Sequence, residues 1–149
     1  MKPFPRKKGV LGATSTEGTW RIDLIDLSSR KCTTKVSVNA RIYNLEVSPC
    51  QKMVFANLST MTINAYSTSK FDILFKVGGY QQNHCLMRMT VGGPHSSVLA
   101  VTSEEGCLCL FSIRKKERIG KIKAGSGQPV NCAKWVGNQL VFGCDGGCL

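Results

Sequence analysis

Four segments of one pattern recur along the chain: Val10-Leu-Gly-Ala-Thr-Ser-Thr-Glu-Gly18, Met53-Val-Phe-Ala-Asn-Leu-Ser-Thr-Met61, Val98-Leu-Ala-Val-Thr-Ser-Glu-Glu-Gly106 and Gln139-Leu-Val-Phe-Gly-Cys-Asp-Gly-Gly147. Leu11, Val54, Leu99 and Leu140 fall in register at spacings of 43, 45 and 41 residues. Gly18, Met61, Gly106 and Gly147 follow at the same offset and mark a turn. Self-similarity at this period constrains the fold more than any composition does, because each copy must be one small sheet that buries its faces against its neighbours. A second run follows each turn: Thr19-Trp-Arg-Ile-Asp-Leu-Ile-Asp26, Thr62-Ile-Asn-Ala-Tyr-Ser67 and Cys107-Leu-Cys-Leu-Phe-Ser112. The last two alternate from side to side as strands do. A third run precedes three of the pairs: Ile42-Tyr-Asn-Leu-Glu-Val-Ser-Pro49, His84-Cys-Leu-Met-Arg-Met-Thr90 and Val130-Asn-Cys-Ala-Lys-Trp135. Leu45, Met87 and Ala133 then align at spacings of 42 and 46.

These residues resemble the WD-repeat family of β-propellers. The family's inner-strand phrase is matched at Ile42, Leu45, Val47, Ser48 and Pro49. Its acid-glycine turn is matched at Glu17-Gly18 and Glu105-Gly106, and its closing Trp-Asp pair falls on Ile25-Asp26, Tyr66-Ser67 and Phe111-Ser112. The resemblance covers residues 10 to 149 and implies an all-β fold, a partial WD-repeat β-propeller built from four-stranded antiparallel blades. The expected division is a basic N-terminal arm over 1–9, a partial blade over 10–40, blades over 41–82 and 83–128, and an incomplete blade over 129–149. Only Asp26 keeps the acid of the closing pair and no Gly-His dipeptide precedes an inner strand, so the family's His-Ser-Asp network cannot form in its usual way. Apolar packing should replace it, with Trp20, Trp135, Phe55, Phe111 and Phe142 contributing roughly 1.5 to 3 kcal/mol per buried ring. Three and a half blades do not close a ring. The expectation is a piece of a longer propeller or, failing that, a ring completed by another polypeptide.

At 149 residues and 16.3 kDa the chain has room for one domain. Hydrophobic residues at 42% and charged residues at 19% suffice for a core and exclude a disordered tail. No run reaches the roughly 20 apolar residues that cross a bilayer, and the start, Met1 to Lys8, lacks a secretory apolar region. The expected setting is intracellular, cytoplasmic or nuclear, with no membrane partner. Eight cysteines lie in apolar runs, which predicts that most are small buried hydrophobes rather than disulfide partners.

Catalysis needs a nucleophile, a base and oxyanion donors in mutual reach. The two histidines, His84 on an inner strand and His95 in the turn Gly92-Gly-Pro-His95, have no companion acid motif. No Gly-x-Ser-x-Gly elbow or phosphate loop occurs. Gly125-Ser-Gly127 reads as a linker turn. Cys144 and Cys148, and Cys107 and Cys109, lack the second pair that a structural zinc site requires, since Cys132 and Cys85 lie on inner strands. The inner strands otherwise offer Glu46, Arg88 and Lys134. The expectation is a protein that is not an enzyme, with no cofactor, metal or small-molecule substrate.

Positive charge is the most informative surface feature. The formal net charge is +11, which favours acidic partners and speeds encounter with them. Arg114, Lys115, Lys116, Arg118, Lys121 and Lys123, with one intervening acid, follow the second run of a blade and predict a basic rim. Neutralising six phosphates there would give a logarithmic salt slope of about −5, whereas lysines on an exposed edge strand also serve to block aggregation. Lys2, Arg6, Lys7 and Lys8 are expected to form a solvated arm. The leading expectation is a non-enzymatic scaffold or adaptor that binds other proteins through propeller loops and rim. The alternative is RNA or DNA binding through the basic rim over 114–123.

Overall fold

The computed structural model describes residues 2–4, 9–83, 87–125 and 127–145. Arg6, Lys7, Lys8, His84, Cys85, Gly147 and Cys148 lie outside them. The first sheet comprises β1 (Lys2–Phe4), β2 (Gly9–Thr16), β3 (Thr19–Asp26) and β4 (Cys32–Val38). The second comprises β5 (Ile42–Val47), β6 (Met53–Leu58), β7 (Thr62–Ser67) and β8 (Ile73–Gly78). The third comprises β9 (Met89–Gly92), β10 (Val98–Ser103), β11 (Cys107–Ser112) and β12 (Glu117–Lys123), and β13 (Val130–Val136) pairs with β14 (Gln139–Cys144). Each sheet is antiparallel and follows chain order from inner to outer strand. The inner strands β1, β5, β9 and β13 are neighbours in that order. The protein is therefore an all-β array of propeller blades, three of them four-stranded.

Two-residue periodicity explains why blades stack. On β6, Val54, Ala56 and Leu58 turn toward the first blade and join Leu11, Ile22 and Tyr66, while Phe55 turns the other way and joins Leu99, Val101, Cys107, Cys109 and Phe111 of the third. On β11, Leu108 points away from that cluster and packs with Ala124 and Val130 under the last pair. Successive side chains of a strand thus serve different interfaces. Phe55 meets Phe75 edge to face at 6.2 Å, a favoured ring geometry.

The repeated closing pair has a shared structural job. Asp26 Oδ1 accepts the backbone N–H of Ser28 and Ser29 at 2.8 and 2.9 Å, and Ser67 and Ser112 hydroxyls accept those of Lys70 and Lys115 at 3.3 and 3.1 Å. Each fixes the turn into the outer strand, which a serine can do as well as an acid.

Four expectations change. Lys2–Phe4 is not part of an arm: it pairs with Gly9, Val10 and Leu11 as a short inner strand, so the first sheet has four strands. Proline inside Lys-Pro-Phe masked it, since proline is tolerated only where one strand edge needs no partner. The third inner strand starts at Met89, and Met89 rather than Met87 occupies the position of Leu45 and Ala133, because all three lie opposite the second residue after the repeat landmark. A slip of two residues keeps every side chain on its face, so alternation could not detect it. Cys107 and Cys109 are buried between blades as expected, but Cys32, Cys50 and Cys132 are exposed, so burial does not describe most of the six described cysteines. Phe55 and Phe111 are buried, whereas Trp20, Trp135 and Phe142 are only half-buried.

Candidate interaction surface

The six cations of the predicted rim follow β11 into β12, the outermost strand of the third blade. Arg114, Lys115 and Lys116 form the turn; Arg118, Lys121 and Lys123 lie opposite Phe111, Cys109 and Cys107. That register puts the last three on the face that looks toward the second blade. All six are exposed, and all belong to one edge, but half are engaged within the molecule. Arg118 Nη1 donates to the Gly79 carbonyl at 3.0 Å. Lys121 Nζ lies 2.5 Å from Glu105 Oε2, and this partner holds the lysine above its ordinary pKa range. Lys115 lies 3.8 Å from Glu117. Each such exposed pair contributes little to stability, yet a phosphate would have to compete with it.

A different cluster escaped the sequence. The Arg41 guanidinium lies 5.8 Å from the Trp20 ring centroid and 5.4 Å from that of Tyr43. Trp20 is the second residue of β3, Tyr43 lies near the start of β5, and Arg41 ends the link from β4, so the three meet where the first two blades share a loop end. Arg41 N–H donates to Ser59 Oγ at 3.2 Å and Ser59 N–H to the Arg41 carbonyl at 2.8 Å, which anchors the link to β6. The pair of aromatics holds a cation by attraction to the ring faces. Nothing in linear spacing joins Trp20 to Tyr43; only the blade-to-blade turn does.

Between the blades the polar groups are structural. Tyr80 Oη donates to Asn57 Oδ1 at 2.6 Å and Asn57 Nδ2 to Gln82 Oε1 at 2.7 Å, all three residues being buried. This cluster ties the link that follows β8 to the second blade. Burial pushes the Tyr80 phenol well above its usual range. Burial, with Cys107 beside it, pushes the Cys109 thiol up to about 11.

The inner strands border a cleft of about 730 Å³, where Glu46, Arg88 and Lys134 line the wall with Met89, Val141 and Phe142. His95 lies exposed in the turn Pro94–Ser96, apart from these groups. Among the described residues no three His, Cys, Asp or Glu converge on a point that could hold a metal ion. No helix among them is long and apolar enough to cross a membrane.

No family model matches the chain, and no curated protein does. Among solved structures, a β-propeller chain in a crystal structure of the mitotic checkpoint complex is similar, with a TM-score of 0.72 at 15% sequence identity. The match covers 92% of this chain and 41% of that one, so this chain spans less than half the neighbour's length. At that identity the likeness is one of fold: four successive antiparallel units, stacked as blades of a propeller.

Proposed function

We propose that this chain is a non-enzymatic scaffold of WD-repeat type that presents its blade ends to other proteins. The observation that carries the reading is the Arg41 guanidinium held over Trp20 and Tyr43 at an exposed loop end. Trp, Tyr and Arg are the residues in which binding energy concentrates at protein interfaces, and here they are already ordered, so little entropy is lost on association. The similar propeller is a chain of a multi-protein complex, which supports the class of partner and not its identity.

The test is affinity capture from nuclease-treated extract of the source cells, comparing the natural chain with a Trp20→Ala/Arg41→Glu variant and with one carrying Glu at Arg114, Lys116 and Lys123. The scaffold reading expects proteins that are retained after nuclease and lost from the first variant alone. Capture that disappears with nuclease or with the second variant would move the function to phosphate binding along β12.

A further inference from the structure

The second blade is flanked by a four-stranded blade on each face, and its outermost strand, β8, has no further strand beside it among the described residues. The neighbouring blades guard the same position with polar and charged side chains. β4 exposes Thr33, Thr34, Lys35 and Ser37, and β12 sets its exposed Ile119 and Ile122 among Arg118, Lys121 and Lys123. Lysine on an edge strand opposes the docking of another strand. β8 instead exposes two adjacent large apolar residues, Ile73 at 49% and Leu74 at 43%. A bulge opposite Ala65 and Tyr66 of β7 sets these two residues against one step of the partner strand, and from Phe75 to Gly78 the pairing is regular. The only charged residue of β8, Lys76, lies opposite Asn64 and so shares the face of Tyr66, toward the first blade.

Charge decides what kind of strand would fit. Arg118, Lys121 and Lys123 face the second blade, and Arg118 Nη1 donates at 3.0 Å to the carbonyl of Gly79, the residue after β8. The guanidinium therefore stands at one end of the β8 edge. It carries five donors in a fixed fork, so the contact with Gly79 leaves it able to receive a carboxylate. With Lys76 on the other face, positive charge borders the edge on both sides. The net charge of +11 opposes pairing with a second copy and favours an acidic guest. Only another extended backbone can satisfy a row of strand donors and acceptors together. Affinity then comes from main-chain bonds and specificity from alternate side chains.

We infer that the outer edge of β8 is a strand-addition site for an extended segment of a partner protein, apolar where it covers Ile73 and Leu74 and acidic where it reaches Arg118. The site rests on the scaffold reading and names the form one partner takes.

The probe is a fluorescein-labelled peptide with Val and Leu in one half and Glu in the other, together with its reversed sequence, titrated by anisotropy against the full chain. Saturable binding of at least one is expected, weakened about tenfold when its Glu becomes Lys, with that preference reversed by Arg118→Glu. Leu74→Lys should weaken binding about tenfold with the melting temperature unchanged, whereas Leu27→Lys, at an exposed apolar residue of the first blade, should leave binding as it was. Two forms of the peptide N-methylated on alternate residues should split, one binding and one failing, because only one set of amides faces the edge. Amide exchange within residues 73–78 should slow on binding. Equal binding by both methylated forms, indifference to the charge swaps, equal effects of the two lysine substitutions, or unchanged exchange would each overturn the site. So would a dimer in sedimentation that the peptide does not displace, which would give the edge to a second copy. Peptide failure with Trp20/Arg41-dependent capture intact removes the strand site alone; failure of both removes the scaffold reading as well.

Discussion

Gly92 offers the sharpest test of how the last strand pair is held. It ends β9, and a Cβ built on it would lie 2.2 Å from Trp135 Cγ, 2.4 Å from its Cβ and 2.6 Å from its Cδ1. Carbon atoms in favourable contact are about 3.5 to 4.0 Å apart, so Gly92→Ala requires the indole of β13 to move by more than an ångström. Insertion into a packed contact of this kind costs about 1 to 3 kcal/mol. For a chain of this size that lowers the melting temperature by roughly 3 to 10 °C. The chain has two tryptophans, so a Trp20→Phe background makes fluorescence report on Trp135 alone. Gly92→Ala should shift its emission to longer wavelength and lower the midpoint of denaturation. In a Trp135→Ala background the same substitution should cost little, giving an interaction energy of about 1 kcal/mol or more between neighbours. Gly120→Ala, where nothing lies within 4 Å of the new methyl, is the control and should be neutral or slightly stabilising. An equal cost of Gly92→Ala with and without the indole would refute the proposed contact.

Phe55→Ala should remove about 3 to 5 kcal/mol of stability by denaturant titration, because Phe55 is fully buried between the second and third blades. Tyr80→Phe strips the buried Asn57 Oδ1 of its phenolic donor and should cost about 1 to 3 kcal/mol, measured the same way. Alkaline pH should destabilise the fold: Tyr80 and Cys109 have folded pKa values raised above their ordinary ones, so the unfolded chain loses these protons first. Their contribution is whole below about pH 9 and falls as pH rises beyond it. Cys109→Val should flatten the loss between about pH 9 and 11 in a pH series of melting temperatures, and an unchanged slope would discount the buried thiol. Iodoacetamide should modify exposed Cys50 before the buried Cys107 and Cys109, since the Ser48 hydroxyl 3.4 Å away, with help from Lys52, lowers the Cys50 pKa. Ser48→Ala should slow that reaction by about twofold or more in a mass-spectrometric time course.

The second and third blades were legible because their strands alternate strongly and their turns recur at one offset. Leu45 and Ala133 hold equivalent places on their inner strands, as their alignment implies, yet Met89 and not Met87 is the third member, since alternation defines a face without defining an end. β1 was illegible: three residues containing a proline form a strand only when β2 supplies the partner. The basic residues over 114–123 were found as a run, but not their engagement with Gly79, Glu105 and Glu117, two of which lie far away in sequence. The Trp20, Arg41 and Tyr43 cluster left no local signal, because its members come from two sheets.

By itself the sequence determined the repeating unit, its two-faced strands and the order in which the units follow one another. Those properties are local, repeated every 41 to 45 residues, and set by the two-residue period of a strand and the chemistry of its turns. Only the tertiary structure decided which blade ends meet and which cations are already engaged. Those depend on the rotation from one sheet to the next, and that rotation is written in packing between distant residues such as Gly92 and Trp135 rather than in any single stretch of chain.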